Sequence, residues 1–288
     1  MKTSIVISTH STSFSALAFQ EDWATNVARM AELGYDGVEW RVTKPSQQTD
    51  AAPSYWGNNR CTIDIATIDR EAKKLARLTR GAGLEVSSLG TYMGYRDLED
   101  IERAMRAAAE MGCPRIRVSP PRYDRAIGYT RLYGESLAGY VEIQKLAQKH
   151  DVQACLEIHM GNICSSPSLA HRLVCGFDPR YIGVILDPGN MIYEGYEDWR
   201  MGMELLGPYL AHVHLKNTRW DAVGTRATGE TEWKANAAAT DKGIIDFRQF
   251  LADLRAVGYD RWCSFEDFSE SGTTEEKLRR NIAYMRSL

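Results

Sequence analysis

Short β-branched runs alternate with longer stretches whose apolar residues recur at helical spacing, from one end of the chain to the other. The β-branched runs predict strands near Ser4–Thr9, Gly37–Arg41, Leu84–Leu89, Arg115–Ser119, Gln153–His159, Tyr181–Asp187, Leu210–Lys216 and Arg261–Glu266. The periodic stretches predict helices over Trp23–Leu33, Ile65–Arg80, Leu98–Met111, Tyr129–His150, Leu169–Val174, Trp199–Leu206, Phe247–Val257 and Thr274–Met285. Gly34, Gly81, Gly112 and Gly258 stand just after the last periodic residue of their helices, where a left-handed cap favours a residue without Cβ.

Each predicted strand is followed by one predicted helix. Eight such units in 288 residues is the arithmetic of an α/β chain folded as a single (β/α)8 TIM barrel spanning residues 1–288. An open doubly wound sheet would carry a Gly-rich first turn, and Thr9-His10-Ser11-Thr12-Ser13 has none. No charge block, low-complexity tract or Pro/Gly/Ser linker interrupts the pattern. Two connections are longer than a compact barrel needs, 42–62 and 217–245. Both follow strands and so fall on the C-terminal, catalytic face. Their Tyr55, Trp56, Trp220 and Trp233 suit stacking on a sugar ring and suit a subunit contact equally, so a homo-oligomer is compatible with the pattern.

Composition narrows the function. With 35 Lys+Arg against 38 Asp+Glu the net charge is −3, which supplies no general attraction to nucleic acid or anionic lipid. Ile5-Val6-Ile7 is too short for a signal core, and every other apolar run is broken by charge before the roughly 20 residues a membrane span needs. A cytoplasmic protein is expected. The six cysteines form no C-x-x-C pair and read as reduced, with Cys155 and Cys263 as small apolar fillers.

The chemistry concentrates in the last four strands. Each carries an acidic or imidazole side chain near its C-terminal end: Glu157, Asp187, His214 and Glu266. Any one of these alone reads as a loop cap or an arginine's partner. Together, at spacings of about one βα unit for the first three and a longer one to Glu266 that includes the inserted loop, they converge at the barrel mouth. Three carboxylates there would repel and lose solvation, and a divalent cation offsets that cost most simply. Strand alternation places His159 on the face of Glu157, and His212 and Lys216 on the face of His214. His212 then lies one layer deeper, as a hydrogen-bonding support. Glu39 points toward the mouth if its strand follows the others, with a structural hydrogen bond as the equal alternative. His10 and Tyr92 are weaker candidates, and His150 and His171 fall on helices.

This set of four on strands five to eight resembles the metal-binding residues of the xylose isomerase-like TIM-barrel superfamily, which includes sugar isomerases, ketose 3-epimerases, hydroxypyruvate isomerases and myo-inosose dehydratases. The likeness extends to the Leu33-Gly34-Tyr35-Asp36-Gly37-Val38-Glu39 approach to the second strand. It implies that Glu157, Asp187, His214 and Glu266 hold one divalent ion, Mn2+ first, with Mg2+ or Co2+ as alternatives. It also implies a carbohydrate metabolism role on a small-molecule substrate. Arg219 matches the substrate-side arginine that the superfamily places shortly after its histidine. Asn190 stands where ketose epimerases have a histidine, and Asn cannot exchange a proton near neutral pH. The run His214-Leu215-Lys216-Asn217-Thr218-Arg219 looks more like the dehydratase side, which usually carries Asp where this chain has Asn217.

The expected activity is a metal-dependent sugar isomerase or epimerase working through an enediolate on a ketose, with Glu157 and Glu266 as acid and base on opposite sides of the ion. His159, Asn190, Lys216 and Arg219 are the substrate-side candidates. A lyase of inosose-dehydratase or 3-keto-glycoside-eliminating type is the alternative, with His159 or Lys216 as the acid. A non-catalytic carbohydrate binder and an AP endonuclease rank lower, the latter because only six histidines are present and two fall on helices. No Gly-rich anion nest stands out, which leans against a phosphorylated substrate.

Overall fold

The computed structural model describes residues 12–15 by their backbone, and residues 21–44 and 57–288 in full. The elements run β1 (Thr12–Ser15), α1 (Trp23–Leu33), β2 (Gly37–Thr43), β3 (Ile63–Asp64), α2 (Ile68–Gly81), β4 (Glu85–Thr91), α3 (Leu98–Met111), β5 (Arg115–Arg117), α4 (Tyr129–His150) and β6 (Gln153–Glu157). They continue with α5 (Pro167–Val174), β7 (Ile182–Leu186), α6 (Pro188–Glu194), α7 (Trp199–Leu206), β8 (Leu210–Leu215), β9 (Asn217–Thr225), β10 (Thr231–Ala238), α8 (Phe247–Ala256), β11 (Cys263–Phe265) and α9 (Thr274–Ser287).

Eight strands, β1, β2, β4, β5, β6, β7, β8 and β11, pair in parallel in chain order, and β1 bonds to both β2 and β11. That double pairing closes the sheet into a TIM barrel. Strand β7 is buried on both faces, which is why it reads as the uninterrupted apolar run Ile182-Gly183-Val184-Ile185-Leu186. The helices pack around the outside, α2 on α3 and α3 on α4. Side chains fill the interior, with Cys155, Ile185 and Ala211 forming one buried group.

Local signals explain the boundaries. Asp22 caps α1 by accepting from the Thr25 amide at 2.9 Å, and Gly34 closes it at φ 81°. Thr273 and Glu276 cap α9 reciprocally. The expected cap at Gly81 is corrected: α2 runs through Gly81, and Gly83 takes the left-handed conformation at φ 79°.

The strand expected at 4–9 lies outside the described residues, as do His10, Tyr55 and Trp56; the strand that closes the sheet is Thr12–Ser15. The long connection 217–245 is largely an antiparallel hairpin, β9 with β10, bearing the exposed Trp220 and Trp233. A short helix, α6, follows β7 directly; its sign in the sequence was an Asp N-cap with Pro at the first helical position, Asp187-Pro188. All six cysteines are free, five of them buried. Among the described residues no helix is long and apolar enough to cross a membrane.

The outer layer depends on aromatic packing. Phe250 is fully buried, edge-on to Trp199 at 5.8 Å and to Phe247 at 5.9 Å. Phe250→Ala should cost about 3–5 kcal/mol. Urea unfolding followed by circular dichroism checks this; a cost under about 1 kcal/mol would show that the site collapses freely.

Candidate metal centre

The last four barrel strands deliver their polar side chains to one point. Glu157 ends β6, Asp187 follows β7, His214 is the penultimate residue of β8 and Glu266 follows β11. All four are buried, and one donor atom from each lies within 4.8 Å of the others. The His214 Nδ1 stands 3.0 Å from Glu157 Oε1, 3.7 Å from Glu266 Oε1 and 3.8 Å from Asp187 Oδ2.

Those spacings suit a small hard cation. Bonds of about 2.1 Å in an octahedron put neighbouring donors about 3 Å apart and opposite donors about 4.2 Å apart. Three carboxylates and one imidazole also match the ligand preference of Mn2+, Mg2+ or Co2+ over a thiolate-seeking metal. The residues therefore fit such an ion.

Without an ion, the chain's own cations offset the buried negative charge. Arg117 Nη1 donates to Glu157 Oε2 at 2.6 Å. Lys216 Nζ bridges Asp187 Oδ2 at 2.6 Å and Glu266 Oε2 at 2.7 Å. Burial pushes the Glu157 carboxyl up, but Arg117 and His214 outweigh it and hold the group well below the ordinary carboxylate range. Burial likewise works against charge on His214 and Lys216, and the surrounding carboxylates, Glu266 and Glu39 for His214, Asp187 and Glu266 for Lys216, raise both above their ordinary values. Ligation through Nδ1 requires His214 to give up that proton.

A second layer fixes the His214 ring. Its other nitrogen, Nε2, lies 3.3 Å from Glu39 Oε1, and His212 Nε2 lies 3.2 Å from Glu39 Oε2. Burial pushes His212 down to about 4 against the pull of Glu39, so the ring is neutral and its Nε2–H donates to that carboxylate. Glycine at position 90 leaves room for it, since a Cβ there would stand 3.2 Å from Glu39 Oε1. Glu39, His212 and His214 also form a three-donor group, sharing the His214 ring with the first. Carboxylate support of a ligating histidine is the common arrangement behind metal sites.

Asp187 has two duties. It caps α6 by accepting from the Asn190 amide at 2.8 Å, and this helix start brings the Asn190 side chain back onto it, Nδ2 to Oδ2 at 2.8 Å. Asn190 Oδ1 accepts from Lys216 at 3.2 Å. Gly189 permits the packing, because a Cβ there would meet Lys216 Cγ at 2.7 Å.

A cavity of about 290 Å³ opens beside Glu157, walled by Tyr92, Arg117, His159 and Asn162. The His159 Nδ1 faces the Met160 carbonyl at 2.7 Å and donates to it, and in that tautomer the lone pair sits on Nε2. Arg117 stacks over Tyr92 at 4.2 Å. Of the residues singled out in the sequence, Asn190 and Lys216 thus join the cluster and His159 walls the cavity beside it. Arg219 does not join it: its guanidinium pairs with Asp221 at 3.0 Å, and it walls a separate cavity with Phe268. Arg117 was missed, although the Arg115-Ile116-Arg117 alternation already placed two cations on one face of β5.

The chain belongs to the xylose isomerase-like TIM barrel family, whose pattern matches residues 27–288. Among curated relatives, an inosose dehydratase from Histophilus somni is 27% identical over 192 residues, covering 61% of this chain and 63% of that protein, under two thirds of its length. Among solved structures, a 3-keto-D-glucoside 4-epimerase from E. coli superposes with a TM-score of 0.73 at 16% identity, covering 97% of this chain and all of that one. An IolI protein with a bound zinc atom superposes with a TM-score of 0.70 at 16% identity, covering 96% of this chain and 97% of that one. These two structural likenesses carry the fold alone.

Lys216→Met strands the Asp187 and Glu266 carboxylates in a buried site. The metal-free protein should lose about 3–5 kcal/mol of stability. Urea unfolding in the presence of a chelator measures this, and an unchanged midpoint would mean that the ammonium carries no structural load.

Proposed function

We propose that this chain is a divalent-metal-dependent carbon–oxygen lyase, a dehydratase acting on a small keto-sugar or keto-cyclitol. The carrying observation is that Arg117 holds Glu157 Oε2 at 2.6 Å while Oε1 is turned to the ligand cluster, 3.0 Å from His214 Nδ1, so with an ion bound neither oxygen is free. A carboxylate tied on both sides is badly placed to shuttle protons, and two-sided proton exchange is what epimerisation needs.

Glu157, Asp187, His214 and Glu266 hold the ion, with Mn2+ as the first choice. When bound, the ion supplies Lewis-acid stabilisation of negative charge developing on a substrate carbonyl oxygen. The chain's residues do the rest. His159 Nε2 takes the proton from the carbon next to the carbonyl. Lys216, charged and held by Asp187, Glu266 and Asn190, keeps its proton and offers positive charge to the oxygen that leaves, while the proton taken by His159 passes to the hydroxyl one carbon further on. The C–O bond breaks and water leaves. Asn190 holds Lys216 against Asp187, and the cavity of about 290 Å³ has room for one six-carbon ring. The inosose dehydratase relative supports the same reaction class.

Isomerisation or epimerisation of a ketose is the second reading. Glu157 and Glu266 both approach His214 Nδ1, at 3.0 and 3.7 Å, which is the pairing such an exchange would use.

Incubation with Mn2+ and either an inosose or a 3-keto-glycoside in D2O separates these. A product lighter by one water, or by the aglycone, supports the lyase. Deuterium uptake at constant composition supports the epimerase, and neither change with any substrate overturns both. Glu266→Gln should abolish turnover with the fold retained. Glu39→Gln should weaken Mn2+ binding about 10–100-fold, read by titration calorimetry. Equal affinity would remove Glu39 from the support of His214.

A further inference from the structure

Arg117 has a strand-mate two residues earlier. Arg115 lies on the same face of β5, toward the opposite, N-terminal mouth of the barrel, and only 7% of it is exposed. Its Nη1 donates to the Ser87 carbonyl at 3.1 Å, and its Nε has no partner among the described residues. Among the described residues no ion pair reaches it. The remaining residues contain a single acidic side chain, Asp50, in the segment after β2. Arg117, at the other end of the same short strand, has Glu157 at 2.6 Å. The two guanidiniums are equally buried, and one of them lacks a counter-charge.

Arg115 also walls a cavity of about 420 Å³ formed where successive barrel strands begin, together with Gln153, Asp151, Arg180 and Arg261. Gln153 spans the floor, donating to the Pro179 carbonyl at 2.7 Å. Glycine at position 183 makes that possible, because a Cβ there would meet Gln153 Nε2 at 2.8 Å. Arg180 is tied to Asp178 at 2.6 Å, and among the described residues the guanidinium of Arg261 bonds to the Leu210 carbonyl, at 3.4 Å, and to no carboxylate. Asp151 is exposed and forms no ion pair with Arg115. Two guanidiniums without carboxylate partners therefore face one polar cavity.

Burying a charge is costly unless it is paired. We propose that the N-terminal mouth of this barrel is a binding site for a small oxyanion, a phosphate or carboxylate group, gripped by Arg115 and Arg261. The planar fork of a guanidinium matches two oxygens of such a group. The site lies at the opposite end of the barrel from the metal centre and is independent of the proposed reaction.

The test is thermal unfolding of the full chain with a chelator present, titrating inorganic phosphate against sodium chloride at matched ionic strength. The melting temperature should rise saturably with phosphate. Arg115→Met should abolish the rise, and Arg261→Gln, at an exposed position that leaves the fold intact, should shift the half-saturating concentration at least about tenfold. Arg279→Gln, on the far surface of α9, should behave as wild type. A parallel citrate series distinguishes a carboxylate ligand from a phosphate one. A saturable rise with either anion that needs both arginines supports the site. No saturable rise with either, or the same rise in both arginine variants, overturns it. Because the readout uses neither metal nor turnover, its failure is distinct from failure of the dehydratase assignment.

Discussion

Four carboxylates, Glu39, Glu157, Asp187 and Glu266, are buried in the upper half of one barrel, and the site is organised around the need to balance them. Leaving such groups charged and unpaired away from water is prohibitive. Arg117, Lys216 and His214 meet that need within the chain. The same arrangement has the geometry of a candidate cation site: Nδ1 of His214 stands among the carboxylate oxygens, and its other nitrogen lies beside Glu39. Charge compensation and the geometry of the candidate metal site are properties of one and the same arrangement of side chains.

Backbone closure makes that arrangement possible. A parallel strand sends every second residue inward, so Glu157, Asp187, His214 and Glu266 meet only when β6, β7, β8 and β11 lie side by side at matched height. The register is not uniform. A shift between Val184 and Ile185 sets His212 beside Ile185, with His214 then reaching the level of Asp187. The bulge thus adjusts height where the site needs it.

Much of this was legible because the barrel repeats a simple pattern. The periodicity of Tyr129–His150 and the apolar run of β7 are long-range consequences of burial that show in a single sequence. What was hidden depends on contacts between distant segments. Glu39 sits more than a hundred residues from His212 and His214, and nothing local says that it will span both rings. The loop expected at 217–245 became a hairpin because alternation there is masked: Trp220, Val223 and Trp233 are exposed, with no core face to impose a period of two. Arg115 and Arg117 look identical in the sequence, and only the tertiary fold gives one of them a carboxylate.

Asn190 shows most clearly how the site divides its labour. Its amide is fully used: Nδ2 donates to Asp187 Oδ2 and to the Ile158 carbonyl at 3.1 Å, while Oδ1 accepts from Lys216. An imidazole at this position has no carbonyl oxygen, so it could not accept from Lys216 while donating to both of those oxygens. The amide joins β6, β7 and β8 and keeps the ammonium seated between two carboxylates. The position that the resemblance gives to a histidine in ketose epimerases is held here by a brace for Lys216. With Glu157 held by Arg117 and Lys216 braced by Asn190, each charged group of the site is fixed by a neighbour, and it is this fixing that favours the proposed elimination over a two-sided proton exchange.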